Sequence, residues 1–247
     1  MKTRTLWILI AFPAIAGAVA LGLQQRGASS GTDSSPFVAS RAFDDLETVV
    51  EFGPRPSGSA SLSATRNYIV EELVEAGLEP VLDRFVAETP AGPIEMENVR
   101  AIRKGRREET IALAGHYDTK RFDFEFVGAN DGGSSTALLL ELARVSGNLD
   151  LEHSIEFLFF DGEEAVRQWT ATDSLYGSRY DLDRRYDAGS LPSLKALILV
   201  DMIGDRDLGV LQETRSTGWL KEIIWETAGR IGHGSHFEQT LSAIEDD

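Results

Sequence analysis

Four large apolar residues, Phe157-Leu158-Phe159-Phe160, run without a break into the turn Asp161-Gly162 and then two adjacent carboxylates, Glu163 and Glu164. With Ser154-Ile155-Glu156 before it, a short apolar run of this kind predicts a strand covered on both faces, as at the centre of a parallel sheet. In open α/β sheets the working groups sit just beyond the carboxyl ends of the strands, where Glu163 and Glu164 fall. Neighbouring side chains at a strand end point in different directions, so one can hold a metal ion while the other faces a substrate. A lone Glu-Glu pair is more often a solvated acidic turn, so its meaning rests on the rest of the chain.

The pattern recurs. Residues 110–115 predict a short apolar strand running into His116-Tyr117-Asp118, and residues 194–200 another running into Asp201-Met202-Ile203-Gly204. Between them, Gly128-Ala129-Asn130-Asp131-Gly132-Gly133 leads into an apolar helix over 136–145. Helix capping is the ordinary use of an Asp there, and the glycines suggest a backbone that must approach something closely. His116 and Asp118, two apart, suit a metal held by an imidazole that the carboxylate orients; a hydrogen-bonded surface histidine is the alternative. Imidazole and carboxylate groups at several strand ends suggest a zinc site at one rim of the sheet, set against a merely acidic rim.

The chain of 247 residues is 42% hydrophobic and 26% charged, enough for one sizeable α/β domain. Its net charge of −16 argues against nucleic acid and anionic membrane surfaces as partners. There is no cysteine, so disulfides, thiolate metal sites and cysteine nucleophiles are excluded. Lys2 and Arg4 precede an apolar run from 6 to 23, and Ala18-Val19-Ala20 fits a secretory cleavage site. The run is also close to bilayer-spanning length, so an uncleaved anchor stays open. Residues 1–35 are therefore expected to be a signal or membrane anchor with a linker. Residues 36–247 are expected to be an exported catalytic domain, periplasmic or extracellular.

Within that domain, periodicity predicts helices over 43–52, 61–76 and 216–231, and edge strands over 80–87 and 98–102. The second helix presents Leu62, Tyr68, Ile69, Leu73 and Val74 on one face and closes at Gly77. Residues 165–175 form a polar loop with Trp169, and residues 233–247 are a polar remainder.

Taken together, His116-Tyr117-Asp118, Gly128-Ala129-Asn130-Asp131, Asp161-Gly162-Glu163-Glu164, Tyr176-Gly177-Ser178 and Asp201-Met202-Ile203-Gly204 resemble zinc aminopeptidases of the bacterial leucyl aminopeptidase type. The segment from Phe159 to Arg179 is closer still to that superfamily's glutaminyl-peptide cyclotransferase branch. Its Ala165-Val166-Arg167-Gln168-Trp169 and Asp173-Ser174-Leu175-Tyr176-Gly177-Ser178-Arg179 are similar to animal-type glutaminyl cyclases. The resemblance implies an α/β three-layer sandwich with a mixed, mostly parallel central sheet and helices on both faces. It implies zinc held by Asp131 and Glu164, with His116 as a further candidate, and Glu163 as general acid/base. Asp201 and Asp246 would hydrogen-bond with Glu163 or hold the substrate amine, and Trp169 would wall the pocket. It also implies a further histidine ligand, a strand and a helix beyond Asp247, so that zinc binding by these 247 residues is expected to be weak.

The implied reaction is an aminoacyl transfer that closes an N-terminal glutamine into pyroglutamate with loss of ammonia, on peptide or protein N-termini. A zinc aminopeptidase is the alternative, with two ions rather than one and with His116 and Asp201 among the ligands. An exported binding domain of the same fold without activity is the third reading.

Overall fold

The computed structural model describes residues 37–244 together with Asp246 and Asp247; the expected signal or anchor over 1–35 lies outside the described residues. The architecture follows from three apolar runs. β4 (His153–Phe160) is buried along all but its first residue, and its alternating side chains feed two cores. Ile155, Phe157 and Phe159 join Leu62, Ile69, Leu73, Leu139 and Ala143 on one face. Leu158 and Phe160 join Ala112 and Ala114 on the other. A run apolar at every position is thus accounted for by cover on both sides.

The sheet has the order β1-β2-β4-β3-β5. β1 (Val81–Thr89) and β2 (Gly92–Arg103) form an antiparallel hairpin, and β2 pairs antiparallel with β4 through Val99 to Arg103. β3 (Arg107–His116) is parallel to β4 on one side and to β5 (Leu194–Leu199) on the other. The sheet is mixed, as expected. β2, expected at an edge, is interior over its second half, because only residues past Asn98 reach β4 while the preceding half meets β1 alone. β5 takes the opposite edge, so Leu197 is exposed despite the apolar sequence.

α1 (Ala39–Glu51), α2 (Ala60–Glu75) and α3 (Ser134–Ser146) pack together, with α2 and α3 covering the first face. α1 begins four residues earlier than its apolar spacing predicts, because the buried Glu141 carboxylate accepts from the Val38 N–H and from the Arg41 guanidinium. α2 turns Val74 outward, against expectation. On the opposite face α4 (Tyr176–Asp187) holds Arg185 at 2.9 Å from the buried Glu156 of β4. β6 (Val210–Glu213), α5 (Gly218–Arg230) and β7 (Phe237–Ser242) complete the described chain, with β6 and β7 paired in parallel as a separate ribbon. α5 buries Ile224 and Ala228 and leaves Trp219 and Ile223 exposed. Among the described residues no helix is long and apolar enough to cross a membrane.

Parallel pairing does the positioning. His116 stands opposite Phe160, and Ala114 opposite Leu199, so β4, β3 and β5 end at one rim. The approach of α3 and β5 to that rim depends on Gly115, where a Cβ would stand 2.7 Å from Ser135 Cβ and 2.9 Å from the Val200 carbonyl oxygen. Gly115→Ala is expected to destabilise by about 1–3 kcal/mol through overpacking, read as a lower urea midpoint at unchanged slope. A midpoint equal to that of the parent would contradict the tight approach.

Candidate active site

His116, at the end of β3, is 1% exposed and is the hub of the rim. Its Nε2 lies 3.1 Å from Asp131 Oδ1 and 3.3 Å from Asp201 Oδ1. Its Nδ1 lies 3.4 Å from Asp118 Oδ1 and 4.0 Å from Glu163 Oε2. Four of the singled-out acids therefore surround one imidazole.

Asp131 does not cap α3, whose first turn has no side-chain cap. It sits at φ −87°, ψ 111° in a non-helical turn followed by Gly132 at φ 73°. Besides the left-handed backbone, a Cβ on Gly132 would meet the Asp118 carbonyl at 2.7 Å and His116 Cε1 at 3.0 Å. The something approached closely is the imidazole. The loop leading to Asp131 is held by Arg55, which is fully buried and donates to the carbonyls of Tyr117, Val127 and Gly128. Sequence reading passed over Arg55; an arginine between Pro54 and Pro56 in a glycine-rich segment was the available signal.

Glu163 and Glu164 are placed through their backbone. Their N–H groups donate to the two oxygens of Asp118 at 3.1 and 3.2 Å, so Asp118 ties the end of β3 to the turn after β4. Glu163 is buried and Glu164 half-buried, with Lys120 Nζ 3.5 Å from Glu164 Oε2. Burial pushes the Glu163 carboxyl well above the usual range, with Asp247, Asp246 and Glu164 adding to the shift against the attraction of His116. Burial and the negative field of Asp131 bring Glu164 to about 7. Burial and Asp201 bring Asp246 to about 7, and burial and Asp246 bring Asp247 to about 8. For His116, burial disfavours the charged form, but Glu163 and the contacts with Asp118, Asp131 and Asp201 outweigh it and raise the pKa well above its ordinary value.

The site residues expected from sequence largely converge, with one regrouping. His116, Asp131 and Asp201 present ligand atoms that all lie within 4.8 Å of one another. Glu164, expected with them, turns to Lys120 instead. Ligands of a tetrahedral ion with bonds of about 2.0–2.2 Å lie about 3.3–3.6 Å apart, close to the two spacings from His116 Nε2. An imidazole and carboxylates with no thiolate suit zinc or a similar divalent cation, so the donor set fits such an ion. A cavity of about 640 Å³ is lined by Trp169, Ser174, Leu175, Asp246 and Asp247 together with residues of β5, β6 and α5, while His116, Asp131, Asp201 and Glu163 do not line it. Ser178 donates to Asp247 at 2.6 Å. His233 and His236, in the stretch expected as a polar remainder, are half-buried and exposed.

Residues 98–247, well over half of the chain, match Peptidase family M28, and the chain belongs to that family. It is 33% identical over 161 residues to the glutaminyl-peptide cyclotransferase of Drosophila melanogaster, an alignment covering 62% of this chain and 46% of that protein. The chain thus spans about half the length of the curated relatives it matches. Its fold is similar to the crystal structure of an Acidobacteriales bacterium glutaminyl cyclase, with a TM-score of 0.84 and 36% identity, covering 90% of this chain and 78% of that one. Porphyromonas gingivalis glutaminyl cyclase is similar at a TM-score of 0.77 and 30% identity, covering 85% and 77%. The resemblance drawn from the motifs and the α/β sandwich it implied are both borne out.

The raised carboxyl groups set the sign of the pH response of chelator-treated protein. In the unfolded chain these acids lose their protons near pH 4, whereas in the fold Glu164 and Asp246 keep theirs to about 7 and Asp247 to about 8. Between those values the folded chain binds more protons, so the stability they contribute is complete below about pH 4 and is lost as pH rises through 7 to 8. The thermal midpoint is therefore expected to fall from pH ~6 to pH ~8, and a divalent cation should reverse the fall. A midpoint that climbs over this interval would contradict the assignment.

Proposed function

We propose that the chain carries the catalytic centre of a glutaminyl-peptide cyclotransferase, converting an N-terminal glutamine to pyroglutamate with release of ammonia. The observation that carries this reading is that Trp169 lines one cavity with Asp246 and Asp247, whose charges act on the buried Glu163. The similarity to glutaminyl cyclases at 36% and 30% identity supports it.

The α-amine of the substrate attacks the δ-carbon of its own side-chain amide. One C–N bond forms, the bond to the amide nitrogen breaks, and one proton moves from the attacking to the leaving nitrogen. Glu163 is the group for that transfer, because a buried carboxyl raised well above its usual range both accepts and returns a proton. Asp201 and Asp246 hold the amine and its proton on the approach side, and Trp169 covers the side chain and limits water. Asp131 and His116 would hold the cation, with Glu164 brought in from Lys120 and Asp201 left to the substrate amine. Zinc, when bound there, supplies Lewis-acid polarisation of the amide carbonyl.

A zinc aminopeptidase is the second reading, favoured by one observation. His116 and Asp201 belong to the cation-binding group, as a two-ion peptidase site would require. Export of the domain, by cleaved signal or by an anchor over residues 6–23, is part of the proposal and rests on the amino-terminal sequence.

Incubation with zinc and two peptides, one beginning with Gln and one with Leu, separates the readings by mass. The Gln peptide should lose one ammonia while the Leu peptide stays intact, and Glu163→Gln should slow the reaction by about 10²- to 10⁴-fold. Release of free leucine without cyclisation would decide for the peptidase.

A further inference from the structure

We propose that Asp173 is the positioning residue of the substrate pocket, fixing the loop that carries Trp169 and so setting affinity for the first side chain of the substrate. The proposal rests on the reading of Trp169 as a pocket wall.

The loop between Glu164 and α4 has little apolar packing of its own. Arg167, Gln168, Thr170, Ala171 and Thr172 are exposed, and Trp169 is half-buried. Its shape comes from hydrogen bonds to one side chain. The carboxylate of Asp173, 2% exposed, accepts from the N–H groups of Val166 at 2.8 Å and of Arg167 and Gln168 at 2.9 Å. It accepts a fourth hydrogen bond from the Tyr176 hydroxyl at 2.9 Å. On the far side of Trp169, the Asp173 N–H donates to both Oγ1 and the carbonyl oxygen of Thr170 at 3.1 Å. Trp169 is therefore held from both neighbours by the same residue. Asp173 itself does not line the cavity that Trp169 lines.

Donors converging on an ionised carboxylate make stronger bonds than neutral pairs. Burial raises the Asp173 carboxyl, but the bonds from Gln168, Arg167, Tyr176 and Val166 outweigh it and keep it below the usual carboxylate range. An amide in its place would offer one acceptor oxygen and set an NH₂ group against N–H donors.

Asp173→Asn, Trp169→Ala and the double variant are compared with the parent chain in zinc, using a Gln-initiated peptide. Asp173→Asn should lower kcat/KM about 10- to 100-fold, as misplacement of a pocket wall can, chiefly through KM with kcat nearly kept. The double variant should be no worse than Trp169→Ala, because Asp173 acts through Trp169. Losses that multiply in the double variant would overturn the proposal. Hydrogen exchange gives a readout independent of turnover: amides 166–168 should exchange faster in Asp173→Asn, while β3 and β4 keep their protection. Unchanged exchange at those amides would overturn the proposal too. Should Asp173→Asn fail to fold, Tyr176→Phe removes one of the four donors while keeping the ring, and should give a smaller rise in KM and in exchange; no change in either would count against the idea. Absence of cyclisation by the parent chain would sink the functional reading, and the exchange data would still decide whether Asp173 fixes the loop.

Discussion

Like charges crowded around one buried imidazole are the constraint on which the rest of this structure depends. Asp118, Asp131, Asp201 and Glu163 all approach His116 within 4.0 Å. Two carboxylates about 4 Å apart repel by roughly 4 kcal/mol in surroundings of intermediate polarity. A fold of marginal stability sustains such a cluster only with compensation. Part of it comes from protons: burial first, and the neighbouring acids after it, raise the carboxyl groups of Glu163, Glu164, Asp246 and Asp247, and the acids around His116 raise the imidazole against its burial. Part comes from cations, the buried Arg55 and the nearby Lys120. A divalent ion would supply the remainder.

Backbone hydrogen bonds make the cluster rigid enough to be useful. Asp118 receives the N–H groups of Glu163 and Glu164, so the acid-bearing turn after β4 is referenced to the end of β3. Arg55 does the same for the loop that ends at Asp131. Asp173 repeats the device a few residues on, with three consecutive N–H groups on one carboxylate. Buried ionic side chains that accept from or donate to the main chain thus shape the loops after β3 and β4.

Legibility followed burial. β4 and β3 could be read because strands covered on both faces are apolar at nearly every position, and their ends located His116, Glu163 and Glu164. Asp131 could be placed by the glycines around it. α4 could not be read, since the face it buries consists of Tyr176, Gly177, Asp181 and Arg185, with no apolar period to detect. β7 was missed because Phe237 is its one buried residue, and β2 was misplaced because half of it pairs on one side alone. The part of Trp169 came from family resemblance, not from spacing. The role of Asp173 had no signal in composition, because bonds from backbone to carboxylate leave no pattern in residue type.

The central claim is that the rim is built to hold a divalent cation through Asp131 and its neighbours. Isothermal titration of zinc into chelator-treated protein, beside the Asp131→Ala variant, tests it most directly. The account predicts weak but saturable binding near one ion per chain, lost or further weakened in Asp131→Ala. No binding by the parent protein, or equal binding by the variant, would contradict it.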